Sequence, residues 1–104
     1  MGKNRDIEIL TNLMSRSLRH KIGSIVNENE IYAAKYAKDA ETLMKEAEKI
    51  LLNQNWNKID KLAIRKKLNR KLKKELEEKE FIKDEKFKIM DQEIEKSLQR
   101  FNLD

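Results

Sequence analysis

Apolar residues run along this chain in steps of three and four. Ile7, Leu10, Met14, Leu18, Ile22 and Ile25 form the first such series, which is the period of one face of an α-helix. Asn4 is placed to cap it, with Asp6 in the first turn, where the helix dipole favours an anion. The series fades at Val26, so a first helix is expected over residues 5–26. Asn27 and Glu30 then have the spacing of a capping box, although Ser or Thr is the commoner cap. They predict a second helix from residue 28. One helix running through this patch is the alternative, since no residue in it forbids helix.

The second helix, expected over 28–53, has the most regular pattern in the chain. Ala33, Ala40 and Ala47 recur every seven residues, Tyr36, Leu43 and Ile50 lie between them, and Ala37, Met44 and Leu51 widen the stripe. Small residues at each heptad let a neighbour come close, so this helix is expected at the centre of the fold. Asn53, Asn55 and Asn57 suit a turn and the next cap. Asn57 with Asp60 predicts the start of a third helix over 57–79, with Trp56 folded back over the turn. So short a connection implies that the second and third helices form an antiparallel hairpin.

The third helix carries Leu62, Ile64, Leu68, Leu72 and Leu76. Between Glu77 and Glu85 the pattern weakens, Phe81 and Ile82 fall off the stripe, and a bend or short loop is expected. Asp84 is placed to cap a last helix over 84–102, with Phe87, Met90, Ile94, Leu98 and Phe101 on its apolar side. The pattern therefore reads as one all-α domain spanning 1–104. It is a three- or four-helix antiparallel hairpin or bundle with long helices and short connections.

Composition agrees. There is no proline and there are only two glycines, so the usual punctuation of loops and hairpins is missing. Hydrophobic residues make up 38% and charged residues 41% of the chain. That implies a thin core at this length, which makes a partner or a homo-oligomer an expectation. The absence of cysteine excludes disulfides and thiolate chemistry and makes the cytoplasm the default compartment. Apolar runs such as Ile50-Leu51-Leu52 are far short of the ~20 residues a membrane span needs. Residues 1–6 lack the apolar core of a signal peptide, and Asp6 stands where myristoylation wants Ser or Thr.

Charge changes the picture most. Residues 54–74 hold nine basic side chains and one acidic, whereas residues 75–104 hold six basic and ten acidic. The net +5 thus hides a polarised chain. Lys66, Lys67, Arg70, Lys71, Lys73 and Lys74 share one side of the third helix, opposite Leu68, Leu72 and Leu76. Such a stripe can neutralise phosphates and release counterions whatever the sequence bound. It can also be neutralised internally, by Glu75–Glu80 or by the acidic side of the last helix, or simply be solvated. No aromatic lies within 61–74, so contacts to backbone rather than to bases are expected. Arg16, Arg19 and His20 cluster on one face of the first helix and would extend this surface if the first and third helices pack side by side.

No motif for an enzyme emerges. His20 is the only histidine and has no acidic neighbour in sequence. There is no Glu-x-x-His pair, no His-Glu-x-x-His, no calcium loop and no phosphate-cradling glycine loop. Met14, Met44 and Met90 read as core. The expectation is a non-enzymatic nucleic-acid-binding protein without cofactor or metal. It would contact DNA or RNA backbone through Lys66, Lys67, Arg70, Lys71, Lys73 and Lys74, with Arg16 and Arg19. The alternative is a helical protein–protein adapter or oligomerisation module, for which an acidic protein surface is the partner that suits the basic face.

Overall fold

The computed structural model describes residues 2–80 and 82–104. It contains α1 (Gly2–Val26), α2 (Ala33–Leu51), α3 (Lys58–Glu78) and α4 (Lys86–Arg100). The expectation about Phe81 lies outside the described residues. At 1.5 Å per residue α1 spans about 37 Å, nearly the whole 41 Å long axis of the molecule. It is the element on which the others are assembled: α2, α3 and α4 all pack on it, and α3 and α4 also pack on each other.

The expected centre was α2, and here the structure differs. α2 packs mainly on α1, with one ion pair reaching α4, from Arg100 to Glu41 at 2.7 Å, and α2 and α3 do not come together as a hairpin among the described residues. The reason lies in what α1 hides. Besides Ile7, Leu10, Met14, Leu18 and Ile22, it buries Thr11, Ser15, Ser17 and Gly23. Thr11 Oγ1 donates to the Ile7 carbonyl at 2.7 Å and Ser15 Oγ to the Asn12 carbonyl at 3.1 Å. With their hydroxyls satisfied by their own helix, these residues enter packing positions at little cost. α1 therefore has packing surface on three sides, although only one stripe of it looks apolar.

Pairs along the seams fix the directions. Ser17 bonds Ala40 and Asp6 bonds Gln54, so α2 runs antiparallel to α1. Lys3 meets Asp60, Glu8 meets Lys67 and Lys71, and Arg19 meets Glu75, so α3 runs parallel to α1. α4 descends again, with Glu93 against Lys21 and Glu95 against Arg65. The core joins Leu10, Met14, Leu18 and Ile22 of α1, Met44 and Ala47 of α2, Ile64, Leu68, Leu72 and Leu76 of α3, and Ile94 and Leu98 of α4. Leu62, expected in this stripe, is 55% exposed, as are other apolar residues at that end, Ile59 at 77% and Leu52 at 78%.

The helix ends show which local signals acted. The expected capping box of α3 is complete: Asp60 N–H donates to Asn57 Oδ1 at 2.8 Å, and Asn57 N–H donates to Asp60 Oδ2 at 3.0 Å. Trp56 does fold back, donating its indole N–H to the Leu51 carbonyl at the end of α2 (2.8 Å). The other three caps differ. Asn4 lies inside α1, and Asp6 accepts from Gln54 Nε2 at 2.8 Å. α2 starts at Ala33 rather than 28 because Asn27 is buried and its Oδ1 accepts from the Lys83 N–H. Its side chain thus ties down the connection between α3 and α4 and does not cap α2. Asp84 offers α4 its carbonyl, to Phe87 N–H, and not its carboxylate. An unforeseen signal closes α4. Asn102 adopts φ 56°, with Leu103 N–H on the Leu98 carbonyl and Asn102 N–H on the Gln99 carbonyl. This Schellman arrangement turns Leu103 back into the core.

Candidate nucleic-acid interface

The basic side of α3 divides into two groups once the neighbours are in place. The inner group leans on α1 and α4. Lys71 Nζ lies 2.8 Å from Glu8 Oε2, 2.7 Å from Thr11 Oγ1, 2.8 Å from Asn12 Oδ1 and 3.2 Å from the Glu8 carbonyl. Four oxygens surround a group with three protons to give, and its side chain is only 15% exposed. Thr11 can accept because its own proton already goes to Ile7. Lys67 meets the other oxygen of Glu8 at 3.0 Å. The hydrogen bond from Lys71, and then that from Lys67, hold the Glu8 carboxyl down to about 2. Arg65 makes a two-pronged contact with Glu95 of α4, and Arg19 of α1 stands 3.7 Å from Glu75.

The outer group is Lys66, Arg70, Lys73 and Lys74. All four are exposed, and none has a carboxylate within ion-pair distance among the described residues. At 100° per residue, Lys66, Arg70 and Lys73 fall within an arc of about 60°, opposite Leu68 and Leu72. Glu77 extends the row at its C-terminal end, and the exposed Ile59 precedes it. α1 and α3 do lie side by side, so Arg16 joins this surface: it lines a recess of about 300 Å³ with Lys71, Lys74, Glu75 and Glu78.

Of the eight sequence-predicted contacts, then, Lys66, Arg70, Lys73, Lys74 and Arg16 point to solvent, and Lys67, Lys71 and Arg19 have internal partners. Of the expected neutralising segments, Glu75 and the last helix contribute, through Arg19 and Arg65. The main carboxylate is Glu8 of α1, which the sequence reading did not single out. Its signal was available only as a pairing of distant helices, because Glu8 and Lys71 are 63 residues apart.

The fold and this surface define a small α-helical protein: a four-helix bundle assembled on α1, to whose core α2 adds Met44 and Ala47, with a basic row on α3 that makes no ion pair among the described residues. No helix among the described residues is long and apolar enough to cross a membrane. No protein family, curated protein or solved structure matches the chain.

Proposed function

We propose that this protein is a non-enzymatic binding protein that grips the phosphate backbone of nucleic acid along the outer side of α3, in the cytoplasm. The observation that carries the reading is that Lys66, Arg70, Lys73 and Lys74 stand in a row beside Arg16 with no ion pair to a carboxylate among the described residues. Like charges spaced one helical turn apart repel, so an uncompensated row costs stability that an anionic partner would return. Four or five cations of this kind give a log–log salt slope of about −4 on duplex DNA. Nothing in the row offers an aromatic face, so binding tolerates sequence changes in the nucleic acid.

The test is a salt titration of binding to unrelated duplexes and to RNA. The Arg70→Glu, Lys73→Glu, Lys74→Glu variant is expected to lose binding while its helix content and melting temperature hold. Lys67→Gln, which touches the inner group, should change affinity far less. A wild-type protein that fails to bind at low salt, or binds with no salt dependence, overturns the reading. The adapter reading is favoured by one observation of its own, the exposed Ile59, Leu62 and Leu52 around the start of α3. A defined oligomer by light scattering that dissociates on Ile59→Lys would support it.

A further inference from the structure

The sole histidine sits in a recess away from the α3 row. The recess holds about 240 Å³ and is lined by Arg19, His20, Tyr36, Lys79 and Ile82. α1 supplies Arg19 and His20, α2 supplies Tyr36, and the residues after α3 supply Lys79 and the buried Ile82. The His20 ring meets Tyr36 edge-on, with centroids 5.4 Å apart, which fixes the imidazole between the two helices. Arg19 Nη2 lies 3.1 Å from His20 Nε2. A guanidinium can only donate, so Nε2 accepts and the ring is neutral, with its proton on Nδ1.

The charges here are only partly balanced. Glu75 pairs with the Arg19 guanidinium at 3.7 Å, an ion pair longer than a hydrogen bond. Lys79 has no ion pair among the described residues. Asp39 of α2 acts on His20 only as a weaker opposing charge. Arg19, His20, Tyr36 and Lys79 thus line a space larger than a phosphate group requires. Guanidinium and ammonium donors are the groups that recognise phosphate oxygens.

We propose that this recess is a binding site for a phosphate group, held by Arg19 and Lys79, with His20 as a third donor once the ligand is in place. The ligand takes the Arg19 donors that now face Nε2. Nε2 then picks up a proton from solvent and donates it to a phosphate oxygen. Binding is therefore coupled to uptake of one proton. In the free protein burial, followed by the positive charges of Arg19 and Lys79, holds the His20 imidazole below its ordinary value. A dianion reverses the electrostatic part of that balance. The phosphate can be a free ion or the terminal phosphate of a nucleic-acid strand, since both present the same oxygens.

A lone histidine makes the test direct, because its imidazole proton resonances need no assignment. Inorganic phosphate at millimolar concentration is expected to raise the midpoint of the His20 titration by about one unit. Sodium chloride at equal ionic strength should not. Lys79→Gln, a substitution outside the helices, should weaken the phosphate response about tenfold and leave the fold unchanged by circular dichroism. Arg19→Gln should weaken the response as well, with some loss of stability because it also removes the partner of Glu75. A 5′-phosphorylated oligonucleotide that moves His20 where its 5′-hydroxyl counterpart does not identifies a strand end as the source. Equal behaviour of the two, with a response to inorganic phosphate, identifies a small phosphate. No shift with inorganic phosphate, or an equal shift with chloride, overturns the proposal. The site stands apart from the α3 row: the Arg70→Glu, Lys73→Glu, Lys74→Glu variant should keep the phosphate response, and Lys79→Gln should keep salt-dependent binding to duplex.

Discussion

α1 is held on two sides by different physics. Toward α2 the seam is close and nearly uncharged. Ala33, Ala40 and Ala47 are buried against α1, and Ser17 Oγ donates to the Ala40 carbonyl at 2.6 Å. A Cβ added to Gly23 would meet the Tyr36 ring at 3.2 Å. Toward α3 the seam is built from leucines, with a border of charge in which Lys71 and Lys67 close on Glu8. The first seam depends on the absence of side-chain volume. The second keeps its volume and adds polar contacts that water can partly replace. The two should therefore fail differently: α2 through steric change, α3 through core truncation and only weakly through loss of charge.

The largest effect that separates them is Ala40→Leu. With the Ser17 hydroxyl already 2.6 Å from the residue-40 carbonyl, a leucine at this position forces α2 off α1. A loss of about 1–3 kcal/mol is expected, measured by urea unfolding. Because α2 packs closely only on α1 and reaches α4 through the exposed Glu41–Arg100 pair, the loss should be accompanied by fast hydrogen exchange throughout α2 while α3 and α4 stay protected. Uniform deprotection of all four helices would instead mean that Met44 and Ala47 bind α2 into one cooperative unit with the rest of the core.

The difference between the seams also explains what could be read in advance. The heptad of alanines announced a close helix contact, and the spacing of Asn57 and Asp60 announced a start of helix. Both are local patterns, and both appear in the structure. The partner of the alanine stripe was not legible. α1 meets α2 partly through Ser17 and Gly23 and meets α3 partly through Thr11 and Ser15, so polar letters stand where the packing is. The same limit governs the basic face. The pattern placed six cations on one side of α3, but which of them are already engaged depends on a single glutamate in another helix. The cap at Asn27 failed for a related reason, since its side chain is claimed by Lys83, far along the chain.

Lys71→Met tests the second seam with an intermediate effect. Methionine keeps much of the buried aliphatic length and removes the ammonium from Glu8, Thr11 and Asn12. Those three acceptors lie near solvent or keep another bond, so the cost should be about 1 kcal/mol, smaller than for Ala40→Leu. The variant should also leave polyanion binding nearly unchanged, because the inner cation is already paired. A large loss of affinity at constant stability would move Lys71 into the binding surface.

Glu8→Gln should give the smallest change, and its pH dependence carries the information. The Glu8 carboxyl is held at about 2 in the folded chain, against an ordinary value of 4.5. A carboxyl depressed by folding contributes stability that is complete above the unfolded value and is lost as pH falls through the folded one. The stability gap between wild type and Glu8→Gln should therefore be level above pH 4.5, narrow between there and about pH 2, and close below it. Asp60 and Glu41 are also lowered, by Lys3 and Arg100. They titrate in both proteins, so they cancel in the difference. The gap should shrink in high salt as well, because Glu8 and Lys67 are open to solvent. The Ala40→Leu loss, which comes from volume, should show neither dependence. A gap for Glu8→Gln that persists below pH 2 or in high salt would mean that the α1–α3 seam, like the α1–α2 seam, is held by shape and not by charge.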